Sequence, residues 1–276
     1  MSETEMTQTP LIITVAPNGA RKTQADHPAL PISPEELARE AKACAAAGAA
    51  MIHLHVRKED KTHTLDPARY REAMSAIRDA CGDDILIQVT TEAVGLYEAP
   101  EQMAVIRELA PQSASLAIRE IVPEGGEEQA RAFLHEIVDG GTLPHYILYS
   151  ADDLKRYLLL RDQGVIPDRN EFLLFVLGRY TAGQVSHPGD LIPFLGELTQ
   201  DIPWSVCAFG PLEHAAASAA VALGGHVRVG FENNMLLKSG ETAGNNAELV
   251  QQIRDVAEAV GRPVASAAEA RKILTV

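Results

Sequence analysis

The stretch SPEELAREAKACAAAGAAMIHLHVR, residues 33–57, joins a helix pattern to a strand pattern. Ser33 can cap a helix, Pro34 suits its first turn, Glu36 completes a capping box and Gly48 ends the helix. The last seven residues, MIHLHVR, alternate apolar and polar side chains, as a strand with two different faces does. A helix followed at once by a strand is the repeating unit of α/β proteins.

The same pattern recurs along the chain. Eight apolar runs have the composition of strands, at residues 11–17, 51–57, 85–91, 113–118, 145–150, 172–178, 204–209 and 226–232. Helical patterns occupy residues 33–48, 66–82, 99–110, 125–139, 151–164, 187–198, 211–224, 246–261 and 266–276. Eight strand–helix units in 276 residues predict an α/β protein with a single-domain TIM (β/α)8 barrel.

An open doubly wound sheet is the alternative architecture for the same alternation. No GxGxxG motif follows the first strand, so a dinucleotide-binding sheet is disfavoured. No linker or low-complexity stretch divides the chain. We therefore expect one domain over residues 1–276, with residues 1–10 as a flexible N-terminus.

Composition restricts the partners and the compartment. The net charge of −14 argues against nucleic acid or an anionic membrane as the main partner. Cys44, Cys81 and Cys207 are far apart and form no CxxC motif, which favours a reducing cytoplasm. The polar start MSETEMTQTP does not resemble a signal peptide, and no apolar run approaches the roughly 20 residues of a membrane span.

The second predicted strand carries two histidines on one face. His53, His55 and Arg57 alternate with three apolar residues, so they should point into the barrel near its C-terminal mouth. Two imidazoles at this spacing are close enough to bind one metal ion. The pair alone is equally compatible with ordinary hydrogen-bonded histidines, and a metal site needs a third ligand from another strand.

The last predicted strand, HVRVGFE (226–232), offers that ligand. Glu232 falls at the mouth end of the face that also carries Arg228 and His226. Two histidines and a carboxylate, with one open position, are a common catalytic zinc arrangement. Glu232 could instead be a solvated rim carboxylate or a partner of Arg228. His226 lies deeper, where a structural role is expected.

Other strand ends are polar as well. Thr90 and Thr91 end the third strand, Ser115 lies within the fourth, and Asn18 and Arg21 follow the first. A hydroxyl inside a barrel needs a hydrogen-bond partner, so Ser115 is either paired to a neighbour or offered to a ligand. Each residue alone could be structural, but their convergence on one mouth predicts a polar site.

Four stretches together resemble the β-keto acid cleavage enzyme family. They are TVAPNGARKTQADHPALP (14–31), GAAMIHLHVRKED (48–60), FVLG (175–178) and LGGHVRVGFENN (223–234). The similarity runs from about residue 11 to the C-terminus. The combined pattern HxHVR and GGHVRVGxE is far more specific than either part.

The resemblance implies a metal-dependent TIM barrel that usually holds Zn²⁺ and usually forms a homotetramer. Such enzymes convert a β-keto acid and acetyl-CoA into acetoacetate and a new CoA thioester. The family's metal ligands fall on His53, His55 and Glu232. A divalent metal there would polarise the keto group.

The resemblance also implies roles for three further residues. Thr90 stands where the family has a serine in the substrate pocket, and Ser115 where it has a threonine. Both hydroxyls could donate to developing oxyanions. Arg228 matches the active-site arginine, which could pair with a carboxylate or polarise a base.

Three positions depart from the family. Asn233 replaces an aspartate that resembles the general base, and an amide accepts no proton at neutral pH. Glu92 remains where a Gly-Gly is shortened, and is either a replacement base or a surface-loop residue. Arg21 replaces the glutamate of members that act on 3-keto-5-aminohexanoate. It disfavours that substrate and favours a distal carboxylate or neutral polar group, unless it turns outward.

We expect Arg21, Asn18, Thr91 and Glu92 to contact substrate, and Asn233 to belong to the catalytic set. Two other functions stay open: a metal-dependent aldolase or lyase that does not use CoA, and a catalytically inactive barrel. The keto acid and the metal are not fixed, because two histidines and a glutamate also bind other divalent ions.

Overall fold

The computed structural model describes residues 8–275. Residues 1–7, most of the segment predicted to be flexible, lie outside this range, as does residue 276. Within it the chain forms a closed barrel of eight parallel strands with helices around it. The predicted TIM-barrel architecture is confirmed.

The strands are numbered along the chain. They are β1 (Ile13–Val15), β2 (Met51–Leu54), β3 (Val56–Arg57), β4 (His63–Thr64), β5 (Leu86–Thr90), β6 (Ser113–Ala117), β7 (Leu143–Leu148), β8 (Phe172–Leu177), β9 (Trp204–Ala208) and β10 (His226–Val229). The barrel order is β1-β10-β9-β8-β7-β6-β5-β2, and β3 pairs with β4 as a separate antiparallel hairpin.

The helices follow the same numbering. They are α1 (Pro34–Ala47), α2 (Pro67–Cys81), α3 (Ala99–Leu109), α4 (Ile118–Ile121), α5 (Glu127–Asp139), α6 (Ala151–Asp162), α7 (Ile192–Glu197), α8 (Glu213–Ala222), α9 (Asn246–Ala259) and α10 (Ala267–Leu274), with a 3-10 helix at Pro188–Leu191.

Helix α1 shows why the boundary residues matter. The Ser33 hydroxyl accepts the backbone N–H of Glu36, and the Glu36 carboxylate accepts that of Ser33. Gly48 ends the helix with φ +118°, a conformation that favours glycine. Both ends of this helix are therefore encoded locally, as the sequence predicts.

Register brings polar residues of neighbouring strands side by side. His53 of β2 lies beside Gln88 of β5, and Thr90 of β5 lies beside Ser115 of β6. Thr14 of β1 pairs with Arg228 of β10, where the barrel closes. The inward side chains of these strands therefore face one another near the mouth.

Two strands, β2 and β10, end three residues earlier than predicted, and the other barrel strands end one or two residues early. Strand β2 stops at Leu54, and Val56–Arg57 turn away to form the β3–β4 hairpin, which the sequence patterns did not indicate. The Arg57 guanidinium holds this turn by donating to the carbonyls of Gly19 and Lys61, at 3.1 and 2.8 Å.

Strand β10 stops at Val229, three residues before the predicted end. Gly230 has φ +140°, and a Cβ there would lie 2.4 Å from the Ala16 carbonyl oxygen. Only glycine permits this close approach of two backbones. Glu232 therefore lies in a turn after the strand, not on the strand itself.

The helical region predicted at 187–198 is also divided, into the 3-10 helix and α7. Pro193 stands in the first turn of α7, where its missing N–H costs no hydrogen bond. None of the helices within residues 8–275 combines the length and apolar character that crossing a bilayer requires.

The lower part of the barrel interior is apolar and aromatic. Phe172 packs against His145 and His226, with ring centroids 4.3 and 5.5 Å apart. The Nδ1 atom of His226 accepts the backbone N–H of Ile12 at 2.9 Å. This floor supports the polar layer above it, and His226 has the structural position expected of it.

Candidate metal centre and active site

Three ligand atoms meet at the mouth of the barrel. The Nε2 atoms of His53 and His55 are 3.1 Å apart, and Oε2 of Glu232 lies 3.6 and 3.4 Å from them. A tetrahedral zinc ion with bonds of about 2.0–2.1 Å separates its ligand atoms by roughly 3.3 Å. The triangle therefore fits one zinc-sized ion, and His53, His55 and Glu232 could hold it.

One hydrogen bond orients the His53 imidazole, and another holds the main chain at His55. His53 Nδ1 lies 2.8 Å from Oε1 of Gln88, which accepts its proton and leaves Nε2 free as a ligand. Asn18 Nδ2 donates to the His55 carbonyl oxygen at 3.2 Å. Burial, and then the charge of Arg228, hold the pKa of His53 well below its usual value. The neutral form that binds metals is therefore favoured.

Glu232 remains a carboxylate despite its burial. Burial alone would raise its pKa, but Arg228, His55 and His53 hold the pKa of Glu232 well below its usual range. An Arg228 guanidinium nitrogen lies 3.4 Å from Oε1, while Oε2 faces the histidines. Glu232 is thus both a partner of Arg228 and a neighbour of the two histidines, which the sequence analysis treated as alternatives.

The turn that carries Glu232 is held from two sides. The ammonium of Lys22 donates to the carbonyls of Phe231 and Glu232, at 2.7 and 3.1 Å. Gly19 packs directly on the Glu232 side chain, because a Cβ at Gly19 would lie 2.6 Å from Cγ. The loop after β1 therefore holds the turn and the carboxylate in place.

The three hydroxyls near the mouth differ in their partners. Among the residues described, the buried Ser115 hydroxyl has no hydrogen-bond partner. Thr90 accepts the backbone N–H of Glu92 at 3.1 Å, whereas the Thr91 hydroxyl donates to the Ser115 carbonyl at 2.9 Å. Ser115 is thus the hydroxyl best placed to meet a ligand, and Thr91 is engaged with the backbone.

A second charged cluster lies at the rim. Glu92 Oε1 is 3.0 Å from an Arg179 guanidinium nitrogen and 3.9 Å from Arg21, while Oε2 is 3.9 Å from Nδ1 of His55. The Glu92 side chain is only 18% exposed, so it faces the mouth and is not a free surface-loop residue. Arg21 is 55% exposed and lies at the outer edge.

Arg179 is a mouth residue that the sequence patterns did not single out. It is 15% exposed and its guanidinium stacks 5.2 Å above the Phe209 ring. The available signal was its place two residues after the end of β8, on the face where barrel enzymes keep polar groups.

The hydrogen bonds of the Asn233 side chain go to residues other than His53, His55 and Glu232. Its Nδ2 donates to the Glu213 carboxylate and the Arg228 carbonyl, at 3.2 and 3.1 Å, and its Oδ1 accepts the Cys207 thiol at 3.2 Å. Cys207 in turn accepts a hydrogen bond from Arg228 at 3.2 Å. The amide is therefore part of a buried network behind Arg228. The sequence patterns did not single out Glu213 or Cys207.

The sequence is similar to known proteins over almost its whole length. The family model described as beta-keto acid cleavage enzyme matches residues 10–276. A 3-keto-5-aminohexanoate cleavage enzyme from Acetoanaerobium sticklandii is 35% identical, with 96% of this chain and 97% of the relative covered. A 3-oxoadipate:acetyl-CoA acetyltransferase from Cupriavidus necator is 31% identical, with 98% and 95% covered.

Solved structures show the same barrel. The apo structure of ObcA superposes with a TM-score of 0.73 at 18% identity, over 90% of this chain and 65% of ObcA. A 3-dehydroquinate dehydratase from Clostridium difficile superposes with a TM-score of 0.60 at 11% identity, over 92% of this chain and 93% of that enzyme. At these identities the likeness concerns the fold alone.

Proposed function

Since the chain belongs to the β-keto acid cleavage enzyme family, we propose that it condenses a β-keto acid with acetyl-CoA to give acetoacetate and a new acyl-CoA. The carboxymethyl unit would leave the keto carbon of the substrate and bond to the acetyl carbon. The CoA sulfur would then carry the remaining acyl group. The observation that carries this proposal is the triangle of His53, His55 and Glu232 beside Arg228.

We propose Zn²⁺ as the ion held by this triangle. The nitrogen and oxygen donors and their separations suit zinc, and the neutral His53 and ionised Glu232 are the ligand forms that zinc requires. A divalent metal there supplies Lewis-acid polarisation of the substrate's keto group.

The chain's own residues would orient the substrate. Arg228, buried beneath the ligand atoms, can pair with the carboxylate of the β-keto acid because its Nε has no partner among the described residues. The Ser115 hydroxyl can donate to an oxyanion that forms on the substrate, and Thr90 lies beside it on the neighbouring strand. Asn18 and Thr91 would support the pocket walls through their backbone contacts.

Charge at the rim selects the substrate's tail. Arg21 and Arg179 both pair with the carboxylate of Glu92, so this part of the rim presents two guanidinium groups and one carboxylate. An ammonium tail would be repelled there, whereas a carboxylate or neutral polar tail is accommodated. We therefore propose that 3-keto-5-aminohexanoate is not the substrate.

The position of Asn233 supports a reaction without a general base at that residue. Its amide hydrogen-bonds to the Glu213 carboxylate, the Arg228 main-chain carbonyl and the Cys207 thiol. Its contribution would be to hold Cys207, which accepts a hydrogen bond from the Arg228 guanidinium. Glu92 approaches the mouth as a counter-ion to the two rim arginines. We assign it to substrate binding.

We also propose a homotetramer in the cytoplasm, as the family resemblance implies. Helix α8, with the sequence EHAAASAAVA, contains small residues that allow close helix packing. Light scattering of the purified protein measures the oligomeric state directly, and a monomer would contradict the proposal.

The function is tested by one activity panel. Zinc-loaded protein is incubated with acetyl-CoA and β-keto acids that carry ammonium, neutral or carboxylate tails, and acetoacetate and acyl-CoA are quantified. We expect CoA-dependent turnover with carboxylate or neutral tails. Cleavage that proceeds equally well without acetyl-CoA would instead indicate a lyase, and absence of turnover with every tail would reject the proposed function.

A further inference from the structure

Glu213 is a buried carboxylate that serves the turn carrying Glu232. It begins α8 and is 2% exposed. Its Oε1 accepts the backbone N–H of Gly230 and the Asn233 amide, and its Oε2 accepts the Asn234 amide, each at 3.2 Å. All three donors belong to residues 230–234, the turn after β10.

Burying a carboxylate among neutral donors is costly, and burial raises the pKa of Glu213 to about 8. At that pKa the group is largely protonated near pH 7, so its role in the turn rests on the three hydrogen bonds that it accepts and not on its charge. The turn itself is sharp, because the N–H groups of Asn233 and Asn234 both donate to the Gly230 carbonyl, at 2.8 and 3.0 Å. Glu213 holds it on the side of α8, opposite the ammonium of Lys22.

The identity of residue 233 is tied to Glu213. The Asn233 Nδ2 atom needs two acceptors, Glu213 and the Arg228 carbonyl, and both are in place. An aspartate would instead bring a second carboxylate to 3.2 Å from Glu213, where two such groups cannot both be ionised. The pair is suited to one acid and one amide.

We propose that Glu213 and Asn233 form one unit that positions Glu232 in the metal centre. Glu213 is a positioning residue: it touches neither substrate nor metal, and it fixes the turn through its three donors. The inference rests on the metal site of the proposed function. It also accounts for an amide at position 233, because the buried carboxylate of this network is supplied from α8.

The test uses Glu213→Gln, Asn233→Asp and the double variant in the full-length protein. The matched control is Glu171→Gln, since Glu171 is also a buried carboxylate, with an 8% exposed side chain. Its partners are Tyr157 and Arg161, which lie outside the turn at residues 230–234. Hydrogen exchange of the peptide 226–236 is the first readout. We expect exchange at least ten-fold faster in both single variants and unchanged in the control.

Metal affinity is the second readout and does not depend on turnover. We expect the single variants to bind Co²⁺ about 10- to 100-fold more weakly, with altered visible absorption bands, as when other outer contacts of a metal site are removed. The double variant again has one carboxyl group and one amide at these two positions, so its loss should be at least ten-fold smaller than the product of the two single losses.

The outcomes separate this inference from the proposed function. Unchanged exchange in Glu213→Gln, or losses in the double variant that simply multiply, would overturn the positioning unit. If the variants show the expected faster exchange and weaker metal binding, but the wild-type protein turns over no β-keto acid, the unit is supported and the proposed function is overturned. If the wild-type protein bound no divalent ion, the unit's role in the metal centre would fall with it.

Discussion

Arg179 and Glu92 form an ion pair across the mouth of the barrel, with 3.0 Å between them, although 87 residues separate them in the chain. Arg21 approaches the same Glu92 oxygen at 3.9 Å. The inner arginine is mostly buried against Phe209, whereas the outer one is more than half exposed. The rim thus contains one mostly buried and one exposed positive charge, both paired with the same carboxylate.

Replacing either arginine should impair substrates with a carboxylate tail. We expect Arg179→Met and Arg21→Met to raise KM for such a β-keto acid by about ten-fold or more, because a charge-assisted hydrogen bond is lost. KM for a neutral tail should change by less than about three-fold. Arg71→Met is the matched control, since Arg71 pairs with Glu108 on the outer surface. Equal losses for both tails would show that the arginines support the fold and not the choice of tail.

Removing one ligand should empty the metal centre. We expect about one zinc ion per wild-type chain and less than about a tenth of that in His53→Ala and in Glu232→Gln, because each loses a donor atom or its charge. The measurement is elemental analysis after dialysis, with circular dichroism to verify folding. His135→Ala, which removes a histidine on α5, serves as the control. Full zinc content in His53→Ala would exclude this site.

The sequence was sufficient for the elements that local patterns encode. The alternation over residues 51–57 predicted that His53 and His55 share one inward face, and the position of Glu232 after the last strand predicted that it lies at the same end of the barrel. What it could not supply depends on contacts between distant residues. The β3–β4 hairpin depends on Arg57 reaching Gly19, and the early end of β10 depends on Gly230 meeting Ala16.

The buried network behind Arg228 could not be predicted from the sequence for the same reason. Glu213 has no distinctive neighbours in sequence and gains its role only when α8 packs beneath the turn at residues 230–234. Likewise, Cys207 looks like an ordinary apolar residue of β9 in the sequence. Only the closed barrel shows that it lies between Arg228 and Asn233. Strand periodicity gives the face of a residue, but not the partner across the barrel.

Ser115 and Thr91 should separate catalysis from stability. Ser115→Ala removes a hydroxyl with no partner among the described residues, so the free energy of unfolding should change by less than about 0.5 kcal/mol. Turnover should fall by about 100-fold if the hydroxyl donates to an oxyanion. Thr91→Val breaks the 2.9 Å bond to the Ser115 carbonyl, so it should cost about 1 kcal/mol and leave kcat within about three-fold.

Urea unfolding and steady-state kinetics of the two variants measure both effects. The two substitutions are a matched pair, since each alters one buried hydroxyl near the same strand. A Ser115→Ala enzyme with normal kcat would remove the hydroxyl from the reaction, and a Thr91→Val enzyme with a large kcat loss would add Thr91 to it.

The histidines of the barrel floor should make stability sensitive to acid. Burial lowers the pKa values of His145 and His226 from 6.5 to about 3, so both stay neutral in the folded state. The unfolded chain protonates them below about pH 6.5. The unfolded state then binds more protons, and the free energy of unfolding falls as pH drops from about 6.5 to 3, by up to about 1.4 kcal/mol per pH unit for each histidine. Above about pH 6.5 they contribute no pH dependence.

His145→Leu should reduce the slope of the free energy of unfolding against pH, below about pH 6.5, by the contribution of one histidine. The substitution removes a titrating group whose Nε2 has no partner within residues 8–275, and it places an apolar side chain beside Phe172. Urea unfolding of the wild-type and variant proteins at pH 7, 6 and 5 gives the slopes. His187→Gln, at an exposed position in the loop before α7, is the control and should retain the wild-type slope. Parallel curves for the wild-type protein and His145→Leu would show that His145 titrates normally in the folded barrel.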